Sequence, residues 1–460
     1  MKTKKSFFIS LLNFLSLNHI RTQQSFSILH DFSNIILILE QNIPKVISMK
    51  KTIIIGLTLF FLKGLVIAQT GLSLPPALEG EIPWDLEGLS VAPDFEWLDQ
   101  SDSVWSMTYT GEEYEGKETQ VFAYFASPAT IGAKSFETGD FPGIVLVHGG
   151  GGTAFRIWAL EWAKKGYVAI AMDLGGDQPL PTEHQDNPWG SKRTRMETGG
   201  PNQDDIHKFY RLSEGFNEQW QYHSVANIVS AHSLIRSFPE VDGDRTAITG
   251  ISWGGYLTNL VAGVDHRFAA AVPVYGCGFL QEGSAWDKQF DSLGMAKTQR
   301  WVKLWDPSNY VGNASADMLF VNGTNDFAYF VENWQKTANL AKDTQFTLIP
   351  DMKHSHLHGA APEEIYNFIS TKLEKKSEFI SSIKLEVEGE QLKYTISHGS
   401  KEVYLAYTED TNRSPEREWQ LLQLEKAKGE VSIPSDAKLW YIYWVDESGN
   451  RRSSEVQGWQ

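Results

Sequence analysis

Six short runs of β-branched and apolar residues, at 144–147, 168–172, 246–249, 269–274, 318–321 and 346–349, alternate along the chain with stretches of helical periodicity. The helical stretches, at 157–165, 224–236, 256–262, 330–341 and 362–375, repeat apolar residues three and four apart. A strand that is apolar along its whole length needs cover on both faces, and a helix between two strands lets the second run parallel to the first. The pattern predicts an α/β fold: a mostly parallel sheet with helices on both faces. Such sheets gather their functional groups at the carboxyl ends of the strands. The residues that follow each run are therefore the ones to read for chemistry.

The flanks follow other rules. Residues 69–103 are rich in Pro, Glu and Leu and read as an irregular N-terminal surface segment. Residues 104–126 alternate around a turn at 113–116, a β-hairpin signal that opens the α/β domain expected over 104–375. Beyond it the period becomes two, with runs at 383–387, 392–397, 402–407, 418–424 and 440–445. That pattern predicts a C-terminal antiparallel β-sandwich domain over 376–460. Two connections inside the α/β region, 174–219 and 276–313, are long and carry Trp189, Trp286, Trp301 and Trp305. Connections of that length at strand ends are expected to act as lids or pocket walls.

Residues 1–68 read as a leader. Met49-Lys50-Lys51, an uncharged run at 52–61 and Val66-Ile67-Ala68 form a signal-peptide pattern with cleavage after Ala68. Met49 is then the expected true start, and the mature chain is expected in the periplasm or outside the cell. The apolar run is too short for a comfortable membrane span, and Lys63 weakens one further. A net charge of −16 argues against nucleic acid as partner, because phosphate binding needs a basic surface. The single cysteine, Cys277, excludes an internal disulfide, a Cys-based zinc site and an iron–sulfur cluster.

Four motifs stand at strand ends. Gly250-Ile251-Ser252-Trp253-Gly254 follows the run at 246–249 and precedes a helical period, the setting of a nucleophilic serine on a sharp turn. His148-Gly149-Gly150-Gly151-Gly152 follows the run at 144–147. Its backbone amides, from Gly150 or Gly151, would share an oxyanion with the amide of Trp253. His148 is expected to hold that loop rather than to react. Asp326, just past the run at 318–321, is the expected acid, ahead of Asp317 and Asp351. After the run at 346–349 come His354, His356 and His358, of which His354 is the first choice for the base. Their spacing matches no standard zinc signature, so no metal is expected.

With these stretches, and with Phe320-Val321-Asn322-Gly323-Thr324-Asn325-Asp326-Phe327 and Pro350-Asp351-Met352-Lys353-His354, the chain resembles the α/β-hydrolase superfamily over about 104–375. Within it the nearest likeness is to secreted bacterial acetylxylan-esterase-like and dienelactone-hydrolase-like esterases. The resemblance implies an α/β-hydrolase fold, a Ser252–His354–Asp326 triad and no cofactor. The tail after Ser377 resembles the C-terminal domain of some pathogenicity-related hydrolase-fold proteins. The expected activity is a secreted serine esterase that deacetylates a polysaccharide or oligosaccharide, its partner an acylated carbohydrate or another small ester. A serine peptidase of the prolyl-oligopeptidase type shares the triad order, and a non-catalytic carbohydrate-binding module shares the fold. Trp253 either lines the acyl pocket or packs on the next helix.

Overall fold

Each of the six apolar runs becomes a strand in the computed structural model, which describes residues 70–135, 141–180, 187–374, 382–425 and 427–458. The expected signal peptide and the rest of 1–68 lie outside the described residues, as does the boundary expected at 376. Strands β1 (Phe95–Asp99), β2 (Trp105–Tyr114) and β3 (Lys117–Ala126) lead into β4 (Phe141–Val147) and β5 (Val168–Met172). A short ribbon of β6 (Asp177–Pro179) and β7 (Arg193–Arg195) follows. Next come β8 (Val241–Ile251), β9 (Ala270–Val274), β10 (Asp317–Gly323) and β11 (Gln345–Ile349). The C-terminal strands are β12 (Ile383–Glu388), β13 (Gln391–Ile396), β14 (Glu402–Thr408), β15 (Gln420–Gln423), β16 (Lys428–Ser432), β17 (Leu439–Val445) and β18 (Arg451–Ser453).

The main sheet runs in the order β1-β2-β3-β5-β4-β8-β9-β10-β11-β18-β17-β14-β15. Strands β5, β4, β8, β9, β10 and β11 are mutually parallel, and antiparallel strands flank them on both sides. The parallel strands are almost wholly buried, which is why they read as unbroken apolar runs. Helices Arg156–Lys164, Trp220–Ser237, Trp253–Ala262, Val331–Ala338 and Glu363–Leu373 occupy the predicted helical stretches. They pack Trp158, Trp162, Ile228, Leu257, Trp334 and Phe368 into a single core with the sheet. Among the described residues no helix is long and apolar enough to cross a membrane.

The two flanks are more tightly built into this core than their sequence suggests. The segment expected at the surface, 69–103, buries Leu72, Leu78, Ile82, Trp84 and Leu89, then supplies β1 along β2. Its apolar residues are irregularly spaced, so no period betrays their burial. At the other end, β18 bonds to the edge of β11 through Phe346 and Ser453, and β17, β14 and β15 extend the same sheet. A second sheet, β12-β13-β16, closes over them. Leu392, Tyr394 and Ile396 of that sheet meet Val403, Leu405, Ile442 and Trp444, which makes a small sandwich. One layer of this sandwich is thus a continuation of the central sheet.

Candidate active site

Strands β4 and β8 pair in parallel with Val147 opposite Gly250, so the turns that leave them emerge side by side. Here the strand order reverses: β4 leads to β5 on one side, while β8 to β11 step away on the other. That switch point is where open α/β sheets form their crevice. Ser252 leaves β8 with φ 60 and ψ −118, and helix Trp253–Ala262 starts at the next residue. A positive φ at a non-glycine residue costs about 1–3 kcal/mol and persists only where its surroundings hold it. Here the Ser252 amide donates to Val274 O at 2.9 Å. Gly250 and Gly254 are packed so closely that a Cβ on either would collide with backbone, of Gly254 and of Val147 respectively.

The next strands along the sheet deliver the partners. Ser252 Oγ lies 2.9 Å from His354 Nε2, and His354 Nδ1 lies 2.6 Å from Asp326 Oδ2. Asp326 follows β10 and is buried; its Oδ1 accepts from the amides of Ala328 at 2.8 Å and Tyr329 at 2.7 Å. One carboxylate oxygen is thereby fixed by backbone, leaving the other for the imidazole. The Tyr275 ring, at the end of β9, stacks on His354 at 4.3 Å, and its hydroxyl donates to Lys353 O at 2.8 Å. Tyr329 turns its buried hydroxyl toward Ser252 without reaching hydrogen-bond geometry. Phe327, 61% exposed, covers the outer side of His354 at 4.9 Å between ring centres. The competing acids stand elsewhere: Asp317 pairs with Lys372 at 3.1 Å, and Asp351 is an exposed turn residue.

The three histidines of the last loop have three different partners. His356 Nε2 accepts from the Gly149 amide at 2.9 Å, and a Cβ on Gly149 or Gly152 would press on its ring. Burial pushes His356 down to about 3, so it is a neutral acceptor. His358 Nδ1 meets Ser355 Oγ at 2.7 Å. His148 holds the glycine loop from behind: Nε2 accepts from the Leu174 amide at 2.9 Å, and Nδ1 donates to Gly149 O at 2.8 Å. Burial pushes it down to about 4. The Gly149 amide is therefore occupied, and Gly150 is next along the loop. A Cβ on Gly150 would sit 2.6 Å from Trp253 Cδ1, which places that loop directly against the residue after Ser252. The Trp253 amide opens a helix and has no intrahelical acceptor. Among the described residues no group of three or more His, Cys, Asp or Glu could hold a metal ion.

Trp253 itself is buried among Trp286 at 4.6 Å, Tyr256 at 4.8 Å, Trp220 at 5.7 Å and Phe209 at 6.0 Å. Both long connections contribute to this wall, the first through Phe209 and the second through Trp286. The C-terminal region also reaches the acid loop. Asn325 Nδ2 donates to Arg417 O at 2.6 Å, the Val331 amide donates to Ser414 Oγ at 3.1 Å, and Arg417 pairs with Glu332. Tyr275, Tyr329, the His356 contact and this C-terminal buttress were not legible in the sequence. Each depends on which loops meet, and no local motif announces it.

The family model described as prolyl oligopeptidase family matches residues 207–376, the stretch that holds Ser252, Asp326 and His354. The uncharacterized peptidase YuxL of Bacillus subtilis (strain 168) is 23% identical over 238 residues, 47% of this chain and 31% of that protein. The probable dipeptidyl-peptidase 5 of Aspergillus flavus is 24% identical over 264 residues, 52% of this chain and 32% of that protein. This chain thus spans about a third of the length of these relatives. Acetyl xylan esterase 1 from Thermoanaerobacterium sp. JW/SL YS485 superposes with a TM-score of 0.50 at 18% identity, over 68% of this chain and 98% of that one. The parallel sheet, the order of its strands and the superposition agree: the chain has an α/β-hydrolase fold.

Proposed function

We propose that the protein is a serine hydrolase that cleaves carboxylic esters with small acyl groups, with Ser252 as nucleophile, His354 as base and Asp326 as its orienting acid. The single observation that supports this most is the unbroken hydrogen-bonded line from Ser252 Oγ through His354 to Asp326, past the ends of β8, β11 and β10. Ser252 Oγ attacks the ester carbonyl carbon while its proton passes to His354 Nε2. The amides of Trp253 and Gly150, with Gly151 beyond, are the proposed donors to the resulting oxyanion, each worth about 3 kcal/mol. The carbon–oxygen bond to the alcohol breaks as His354 returns the proton to the leaving oxygen. Water, deprotonated by His354, then attacks the acyl-enzyme, releases the acid and restores Ser252.

The aromatic crowding around Trp253 supports small acyl groups, acetyl above longer chains. An acylated carbohydrate is the substrate class we favour, in keeping with the acetyl xylan esterase that this chain covers almost end to end. Export rests on the pattern of residues 49–68 alone. A peptidase is the second reading, favoured by the prolyl oligopeptidase match over 207–376. Purified protein given p-nitrophenyl acetate and an aminoacyl-p-nitroanilide separates the two. Ester turnover that vanishes in Ser252→Ala supports the first reading. Amide turnover with the same dependence replaces it with the second, and neither activity removes both.

A further inference from the structure

Among the described residues, Lys208 is a buried cation beside this site with no ion-pair partner. It lies in helix Asp205–Phe209, within the long connection after β5, and is 6% exposed. Its Nζ sits 4.7 Å from the centre of the Trp253 ring and 5.0 Å from that of Trp220. Among the described residues it has neither a hydrogen-bond acceptor nor an ion-pair partner. The nearby carboxylates are engaged elsewhere: Asp204 caps the helix and bonds His207 Nδ1 at 2.7 Å, and Asp205 accepts from Gln289 at 2.9 Å. An ammonium withdrawn from water without a counter-charge is expensive. Burial accordingly pushes Lys208 down to about 8. Ring faces offset part of that penalty.

The position of this charge connects it to the reaction. Trp253 follows Ser252 directly and packs against Gly150, so Lys208, Trp253 and the glycine loop are contiguous. The two arginines here are already used. Arg193 bonds Asp177 Oδ2 at 2.8 Å and Gly151 O at 2.7 Å, and Arg195 bonds the carbonyls of Gly175 and Gly200. Lys208 Nζ has no such bond among the described residues, in a chain of net charge −16. A single ammonium matches a monoanion. We propose that Lys208 binds a free carboxylate carried by the ester substrate, so that the preferred substrates are acidic, such as acylated uronates. This deepens the ester-hydrolase reading and rests on it.

Two matched pairs test it on the full chain. p-Nitrophenyl hexanoate against mono-p-nitrophenyl adipate adds a carboxylate on the acyl side. Acetylated methyl glucoside against acetylated methyl glucuronoside adds one on the alcohol side. The wild-type protein is expected to favour the charged member of at least one pair by roughly tenfold or more in kcat/KM, mainly through KM. Lys208→Met is expected to abolish that ratio and Lys208→Arg to retain part of it. Equal turnover of both members in both pairs, or a ratio that survives in Lys208→Met, overturns the proposal. Should Lys208→Met not fold, or should no ester be turned over, calorimetric binding to the wild-type chain decides. Methyl glucuronoside binding well above methyl glucoside supports the proposal, and equal or absent binding of the two overturns it. Failure of the ester reading shows itself separately, as p-nitrophenyl acetate turnover that is absent or persists in Ser252→Ala.

Discussion

A hydroxyl, an imidazole and a carboxylate stand in line at two places along strand β8. At its carboxyl end Ser252, His354 and Asp326 are joined at 2.9 and 2.6 Å. Earlier on the same strand, Thr246 Oγ1 lies 2.8 Å from His232 Nε2, and His232 Nδ1 lies 2.7 Å from Asp265 Oδ2. The spacings are nearly the same and the settings are opposite. His232 and Asp265 are fully buried, Phe268 stacks on the imidazole at 3.6 Å, and Arg267 grips both oxygens of Asp265 at 2.8 and 2.6 Å. Burial works to raise the Asp265 carboxyl, but its contacts with His232 and Arg267 outweigh it and hold the group well below the usual range. Thr246 lies in regular strand. Ser252 stands on a strained turn, faces the glycine loop, and has the exposed Phe327 beside its histidine. The alignment of three groups is thus a good way to satisfy buried polar atoms anywhere. Access, a forced turn and spare amides are what distinguish the end of the strand.

Substitutions on the two lines should therefore fail in different ways. Ser252→Ala is expected to lower ester kcat by roughly a thousandfold or more with the fold intact, measured by p-nitrophenyl acetate turnover and circular dichroism. Asp265→Asn is expected to do the reverse. It breaks a buried charge pair, so stability should fall by about 3–5 kcal/mol in denaturant titration while turnover per folded molecule holds. A loss of turnover as large as that of Ser252→Ala would erase the distinction.

His356→Phe sharpens the contrast within the active line itself. Removing the acceptor for the Gly149 amide should let the glycine loop drift and lower kcat by about tenfold to a hundredfold, with KM little changed. Acid supplies the smallest and broadest effect. Burial pushes His148, His223 and His232 down to about 4 and His356 to about 3. Each takes up a proton near pH 6.5 when unfolded and only far below that when folded, so the unfolded state binds more protons in between. Stability is then complete above pH 6.5 and declines as pH falls toward 4, which a series of Tm measurements across that window would record.

The sequence made the centre of this molecule legible because its physics is local there. Unbroken apolar runs such as 168–172 need no partner information to be read as buried strands, and Ser252 declares itself through glycines that backbone contact forces. Asp326 and His354 followed from their places after successive strands. The periphery resisted for a different reason. Strand β18, Arg451–Ser453, is polar and joins the sandwich to the central sheet through one bridge with Phe346, so no run of side chains marks it. Leu72 and Trp84 enter the core from an irregular segment that has no period. Lys208 carries no motif, and what makes it notable is that no described residue pairs with its ammonium, which only assembled loops reveal.

On the proposed reading Ser252, at the end of β8, is activated while Thr246 within the strand is not, and covalent trapping puts this to the test. Protein incubated with an excess of diethyl p-nitrophenyl phosphate should acquire a single diethylphosphoryl adduct, mapped by tandem mass spectrometry to Ser252, as ester turnover falls in proportion to labelling. Full turnover from unlabelled protein after prolonged exposure, or inactivation that tracks an adduct on another residue, would contradict the account.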